Sequence, residues 1–272
     1  TSNGEILTNN HVVDGATKIT VTVVATGKRY SAKVVGTDPT QDVAVIQLAG
    51  ASGLPTANYG NSSGVAVGDS VTGVGNAEGA GGTPSSATGK VTALNQPITA
   101  TDDSGANAES LTGLIETSAQ IAPGDSGGPL YNSSGKIIGM DTAAQTSGQT
   151  TTAAYAITID HALAVAQQIE AATTSTSTIH VGLPSFLGVS VQDTNGQGAG
   201  VVQVVTGAPA AKGGIVAGDV ITKVGGRSIT ASAQLKPALA AYQPGRSVTI
   251  GWTDSSGQSH QASVTLIVGP AD

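Results

Sequence analysis

The sequence predicts a mainly β chain, with an all-β unit followed by a small α+β unit. Three observations carry this. Short runs rich in Val, Ile and Thr recur at regular spacing, with Gly, Asn, Asp or Pro turn signals between them. No strand–helix alternation occurs, so a parallel α/β sheet is excluded. A Ser/Thr run at Thr173–Thr178, with nothing to bury, reads as a linker between the two parts.

The elements follow in order. Ser2-Asn3-Gly4 is a hairpin turn leading into a strand over Glu5–Asn10. No strand enters that turn, and the expectation is that upstream strands belong to the same fold. Thr8-Asn9-Asn10-His11-Val12-Val13 ends the strand. Ile19–Val24 and Arg29–Val35 pair around Gly27, and Asp42 stands just before the near-continuous apolar strand Val43–Leu48. Leu54–Gly68 is loop. Asp69–Gly75 and Gly89–Asn95 are strands, Thr101–Ser110 a polar loop, and Leu114–Ser118 the approach to a glycine-rich turn. Lys136–Asp141 and Ala153–Ile159 close the run. Asp160 caps a helix over Ala162–Ala171 with apolar residues at 163, 166 and 169.

Beyond the linker come a strand-like run at Phe186–Val191, a strand at Val201–Val205 and a short helix from Ala208 ended by glycine. A turn and strand follow over Gly218–Val224. A helix over Ser232–Tyr242 puts Leu235 and Leu239 on one face, with Pro237 awkwardly inside it. Ser247–Trp252 and Gln261–Ile267 are the last strands.

Composition narrows the function. Of 272 residues, 39% are hydrophobic, enough for a sizeable core. A net charge of −7 with only 11 basic residues argues against a nucleic-acid surface. The absence of cysteine excludes disulfides, thiol catalysis and cysteine–zinc sites. No apolar run is long enough to span a bilayer. An Ala/Gly/Ser/Thr-rich style fits a secreted or cell-envelope protein.

The chemistry centres on Ala122-Pro123-Gly124-Asp125-Ser126-Gly127-Gly128-Pro129-Leu130. A serine between glycines, on a turn between strands, can expose its hydroxyl and aim nearby N–H groups at one point, as acyl transfer needs. A serine nucleophile needs a base, and the base needs a carboxylate to fix its tautomer. His11 at a strand end and Asp42 at a strand start can reach one cleft. The reading is Ser126 as nucleophile, His11 as general base and Asp42 as its orienter. The N–H groups of Gly124 and Ser126 form the oxyanion hole. Asp38, four residues before Asp42, is a rival that precedes proline in the loop. His161, His180 and His260 read as surface or structural. A Gly-x-Ser-x-Gly elbow of the α/β-hydrolase kind is the other chemistry, with Asp141 and His161 completing its chain order. It is rejected because Leu130–Gly139 reads as strand, turn, strand, with no helix after Ser126.

On Thr8-Asn9-Asn10-His11-Val12-Val13, Asp42-Val43-Ala44-Val45 and Gly124-Asp125-Ser126-Gly127-Gly128-Pro129, the chain resembles the trypsin-like serine peptidases. The HtrA/DegP-like branch, in its secreted actinobacterial form, is the nearest likeness. The resemblance implies a double β-barrel with the triad between barrels and no metal or cofactor. It places Gln120, six residues before the serine, at the base of the P1 pocket and Tyr155-Ala156-Ile157 along its wall. Small or aliphatic P1 residues are expected. Phe186-Leu187-Gly188-Val189, with Ala208-Pro209-Ala210-Ala211 and Gly218-Asp219-Val220-Ile221, resembles a bacterial protease PDZ domain. There a peptide's C-terminal carboxylate docks on backbone N–H groups beside Phe186–Val191. Leu187, Val189, Leu235 and Leu239 are expected to line the groove. The expected domains are a protease over residues 1–172, a linker over 173–184 and PDZ over 185–272. The implied activity is endoproteolysis of unfolded or misfolded proteins; the alternative is a silent protease domain serving a peptide-binding protein.

Overall fold

Alternating β-branched residues and a buried apolar strand set up the first sheet. The computed structural model describes residues 1–101, 108–147, 150–176 and 178–271, which divide into two compact units, Thr1–Thr173 and Thr174–Ala271. In the first unit β1 (Glu5–Thr8), β2 (Ile19–Val23), β3 (Lys28–Asp38) and β4 (Val43–Leu48) pair antiparallel in the order β1-β4-β3-β2. β4 lies between two neighbours, and its Val43, Ala44 and Val45 are fully buried, as its unbroken apolar run requires. A register shift between Val34 and Gly36 kinks β3. Between β1 and β2 runs α1 (Asn10–Val13), a single helical turn. His11 therefore sits on a helical turn, not at a strand end. Propensity gave no warning, because one turn is too short to show a period.

A closed barrel follows. β5 (Ser70–Gly75), β6 (Ser85–Thr101), β7 (Ala108–Thr117), β8 (Pro129–Asn132), β9 (Ile137–Ser147) and β10 (Thr150–Thr158) pair in the order β10-β7-β6-β5-β8-β9. Val71, Val91, Ile115, Leu130, Ile138 and Ala156 fill its core. Several strands are longer than their apolar runs, because pairing extends them into polar sequence. Of the polar loop expected at Thr101–Ser110, residues 102–107 lie outside the described residues, and 108–110 already belong to β7.

α2 (Ile159–Ala171) closes the first unit and buries Ile159, Ala162, Val165, Ala166 and Ile169. Its N-cap is Thr158, so Asp160 lies inside the first turn. There Asp160 Oδ2 accepts hydrogen bonds from the Ser62 N–H (3.0 Å) and Oγ (2.7 Å). The carboxylate thus caps the 3-10 turn Ser62–Gly64 across the unit rather than its own helix.

The second unit begins with β11 (His180–Val181) and contains a pair of short strands and a larger sheet. β12 (Ser185–Phe186) pairs with the last strand, Ile267–Val268. β13 (Val189–Asp193), β14 (Ala199–Val204), β15 (Val220–Val224), β16 (Arg227–Ser228), β17 (Ser247–Thr253) and β18 (Ser259–Thr265) form the sheet. Its order is β13-β14-β15-β17-β18, with β16 beside β15; the terminal strand is β19. α3 (Pro209–Lys212) and α4 (Leu235–Ala240) are its helices. The helix expected over Ser232–Tyr242 is split, with a 3-10 turn at Ser232–Gln234 before α4. Pro237 then falls in the first turn of α4, where its missing N–H breaks no helix bond.

Candidate active site

Two short turns on the first sheet present His11 and Asp42. The Asp42 turn starts from Asp38, which is buried and whose Oδ1 accepts from Thr40 N–H (3.0 Å) and Oγ1 (2.7 Å). That bond tightens the chain so that Asp42 takes a left-handed φ of +51°. An aspartate adopts this at a cost of about 1–2 kcal/mol. Asn9 stabilises the bend: its Nδ2 donates 3.0 Å to the Asp42 carbonyl. Asn9 occupies the N-cap position of α1 but makes no side-chain cap there, and it is fully buried.

Asp42 itself is 1% exposed and turns both oxygens to use. His11 Nδ1 lies 3.0 Å from Oδ1 and 2.9 Å from Oδ2, and the His11 backbone N–H donates 3.0 Å to Oδ1. The fourth contact comes from the closed barrel. Thr142 Oγ1, on β9, donates to Asp42 Oδ2 at 2.5 Å. Thr142 also faces the serine, since its carbonyl accepts from Ser126 Oγ at 3.3 Å. One threonine therefore links Ser126 on the glycine-rich turn to the His11–Asp42 pair. Asp38, the rival carboxylate, is committed to Thr40.

The serine turn is held from several sides. Asp125, 5% exposed, accepts from Ala122 N–H (2.9 Å) and Ser85 Oγ (2.7 Å). Glu78 N–H donates 2.7 Å to the Pro123 carbonyl, which fixes the Pro123–Gly124 peptide plane. Gly124 has φ +94°, and a Cβ there would meet the Asn76 carbonyl at 2.5 Å. Gly127 has φ +79°, and a Cβ there would run into Thr8 Oγ1. The turn thus packs directly against the segment that carries His11. The N–H groups of Gly124 and Ser126 donate to no protein acceptor among the described residues. They are left as donors for an incoming oxygen.

The expected substrate residues scatter more. Gln120 is exposed, and its Nε2 is 3.4 Å from the Ser118 carbonyl. Tyr155 and Ile157 are buried, while Ala156 packs into the barrel core with Ile115 and Leu130. Burial and the Glu116 carboxylate raise the Tyr155 phenol above its ordinary value. An apolar cavity of about 660 Å³ lies behind Gly127–Pro129, against β1, β2 and α2. His11, Asp42 and Ser126 do not line it, so it is not where the chemistry sits. His161 Nε2 is 2.7 Å from Gln41 Oε1, and His260 Nε2 is 2.7 Å from Asp254. Neither joins Asp141, which is the pairing the α/β-hydrolase elbow would need. Among the described residues no three His, Asp or Glu side chains are grouped to hold a metal ion.

In the second unit, Leu187, Leu235 and Leu239 are buried in one core with Ile221 and Ile250, and Val189 packs against it. Phe186 closes β12, and Leu187–Gly188 separates it from β13, so the expected continuous strand is interrupted. Gly188 has φ +84°, and a Cβ there would collide with Ala208. β13 pairs only with β14 and is an edge of the sheet.

Sequence reasoning missed Thr142 and Asn9. Thr142 acts through strand register, which brings its carbonyl to Ser126 and its hydroxyl to Asp42 and which no motif encodes. Asn9 could have been flagged as an Asn ahead of a helical turn, a capping position.

Residues 1–140 match the model of the trypsin-like peptidase domain, and residues 185–262 that of the PDZ domain. Serine protease PepD of Mycobacterium tuberculosis is 36% identical over 97% of this chain and 58% of its own length. The periplasmic pH-dependent serine endoprotease DegQ of Escherichia coli is 34% identical over 97% of this chain and 57% of its own length. The chain thus spans little more than half of these relatives. A solved structure described as HtrA-type protease AlgW with decapeptide matches with a TM-score of 0.55 and 27% identity, over 100% of this chain and 82% of that one.

Proposed function

The chain belongs to the trypsin-like peptidase family and carries a PDZ domain, and from that premise we propose that it is a serine endopeptidase of the HtrA type. Ser126 Oγ attacks the scissile carbonyl. His11 takes the proton and returns it to the leaving amine. Asp42, held by Thr142 and the His11 N–H, keeps the Nδ1 proton facing itself and stabilises the imidazolium. The Gly124 and Ser126 N–H groups receive the oxyanion. The observation that supports this reading is that Thr142 contacts Ser126 through its carbonyl and Asp42 through its hydroxyl, while Asp42 holds His11 Nδ1, so that the three candidate residues gather around one strand.

The substrates in this reading are exposed segments of unfolded proteins, with small or aliphatic P1 residues. Extended C-terminal peptides add beside β13 in the second unit. The name of the periplasmic relative supports an envelope or periplasmic location. No helix among the described residues is long and apolar enough to cross a membrane. Casein cleavage and fluorophosphonate labelling test the reading: wild type cleaves and is labelled, and Ser126→Ala does neither. Equal cleavage by the two chains refutes it.

A further inference from the structure

Asp141 is a buried carboxyl with no hydrogen-bond partner among the described residues, and it sits against the residues that matter most. It lies on β9, next to Thr142. Its carbonyl accepts from Gly127 N–H and its N–H donates to the Gly128 carbonyl, both at 2.8 Å. The backbone of Asp141 therefore clasps the glycine pair that follows Ser126. Its side chain is fully buried, and neither carboxyl oxygen has a hydrogen-bond partner among the described residues.

The space for it is made by a glycine. A Cβ on Gly73 of β5 would stand 2.9 Å from Asp141 Oδ2 and 3.0 Å from the Ile121 side chain. Gly75 makes the same room for Asp125, whose Oδ1 would be 2.5 Å from a Cβ there. Residues two apart share one face of a strand, about 6–7 Å apart. The two carboxyl groups are thus neighbours along β5. Asp125 is already engaged with Ala122 N–H and Ser85 Oγ.

We propose that Asp141 is a positioning residue of the serine turn that works only as an uncharged acid, so that its ionisation disables the turn as pH rises. Burial, and then the Asp125 charge, push the Asp141 carboxyl well above the ordinary carboxylate range. The surrounding elements offer nothing to reverse this. The titratable groups are Tyr131 on β8, Tyr155 on β10 and Asp125 on the turn; β5 carries none. α2, which also packs on β9, brings Asp160, His161 and Glu170. Asp160 and His161 are engaged with Ser62 and Gln41. An ionised Asp141 needs donors, and the described residues supply none. It also repels Asp125, whose bond to Ala122 shapes the oxyanion side of the turn. Relief comes only by moving the segment Ala122–Gly128.

The inference rests on Ser126 as nucleophile, and its test separates the two. The full chain and its Asp141→Asn variant are compared by the shape of kcat against pH on a fluorogenic peptide, each profile taken relative to its own maximum, which cancels any change in overall activity. The wild-type profile falls about tenfold per pH unit beyond the ionisation, and that of Asp141→Asn stays flat there. An unchanged falling limb in Asp141→Asn overturns the proposal. If the wild type turns over nothing, the Ser126 reading fails, and stability decides the role of Asp141. Its folded-state affinity for a proton is raised, so its favourable contribution is complete below the unfolded value of 3.8 and disappears as pH rises through the folded one. Asp141→Asn therefore gains stability over wild type as pH rises, and a pH-independent difference overturns the proposal. Should Asp141→Asn not fold, infrared spectra of the wild type decide. A protonated carboxyl band that persists above the ordinary carboxylate range and disappears as pH rises further is expected, and its absence overturns the idea.

Discussion

Replacing Thr142 with valine removes a single hydrogen bond and keeps the shape of the side chain. The hydroxyl lies 2.5 Å from Asp42 Oδ2, and both residues are buried. A hydrogen bond to a charged group contributes about 1.5–3 kcal/mol. At about 1.4 kcal/mol per factor of ten, its loss lowers kcat by about 10- to 100-fold if the bond holds Asp42 in register with His11 during proton transfer. Ser126 donates to the Thr142 carbonyl, not to its side chain, so Thr142→Val leaves that contact in place. The assay is kcat and KM on a fluorogenic peptide for wild type, Thr142→Val and Thr142→Ser. Thr142→Ser keeps the hydroxyl and recovers most of the rate. The loss should fall on kcat rather than KM, because the bond touches no substrate. A Thr142→Val enzyme within about twofold of wild type would refute the idea that this bond positions the carboxylate.

Two further substitutions probe the frame of the site. Gly127→Ala forces a left-handed residue, costing about 1–2 kcal/mol, and drives its Cβ into Thr8 Oγ1; fluorophosphonate labelling of Ser126 should slow sharply, with Thr8→Ala added to the same chain restoring part of the rate. Asp160→Ala removes two bonds to Ser62 at a partly exposed position, so a loss of about 1 kcal/mol is expected, seen as a thermal midpoint lower by about 2–4 °C.

The candidate triad was legible only from three stretches read together: a glycine-flanked serine, a histidine ahead of two valines and an aspartate opening a buried strand. The mainly β character followed from evenly spaced β runs and the trypsin-like form from the resemblance, and the structure builds it as one sheet and one closed barrel. What stayed hidden depends on contacts far apart in sequence. Thr142 matters because β9 brings its carbonyl to Ser126 while its hydroxyl reaches Asp42, 100 residues away. Asp160 looked like a cap for its own helix, yet it caps a turn 98 residues earlier. The register of a barrel decides such pairings, and single-residue preferences do not report it. Pro237 shows the reverse, since a local rule marked the place where the expected helix could not be continuous.

His11 and Asp42 stand on turns flanking the strands of the first sheet, Ser126 on a turn of the closed barrel and Thr142 on its strand β9, and a Cβ on Gly127 would meet Thr8 of the first sheet. Either half, folded alone, would hold only fragments of a nucleophile's machinery. In the proposed reading, a chain whose halves have not docked has no way to cut.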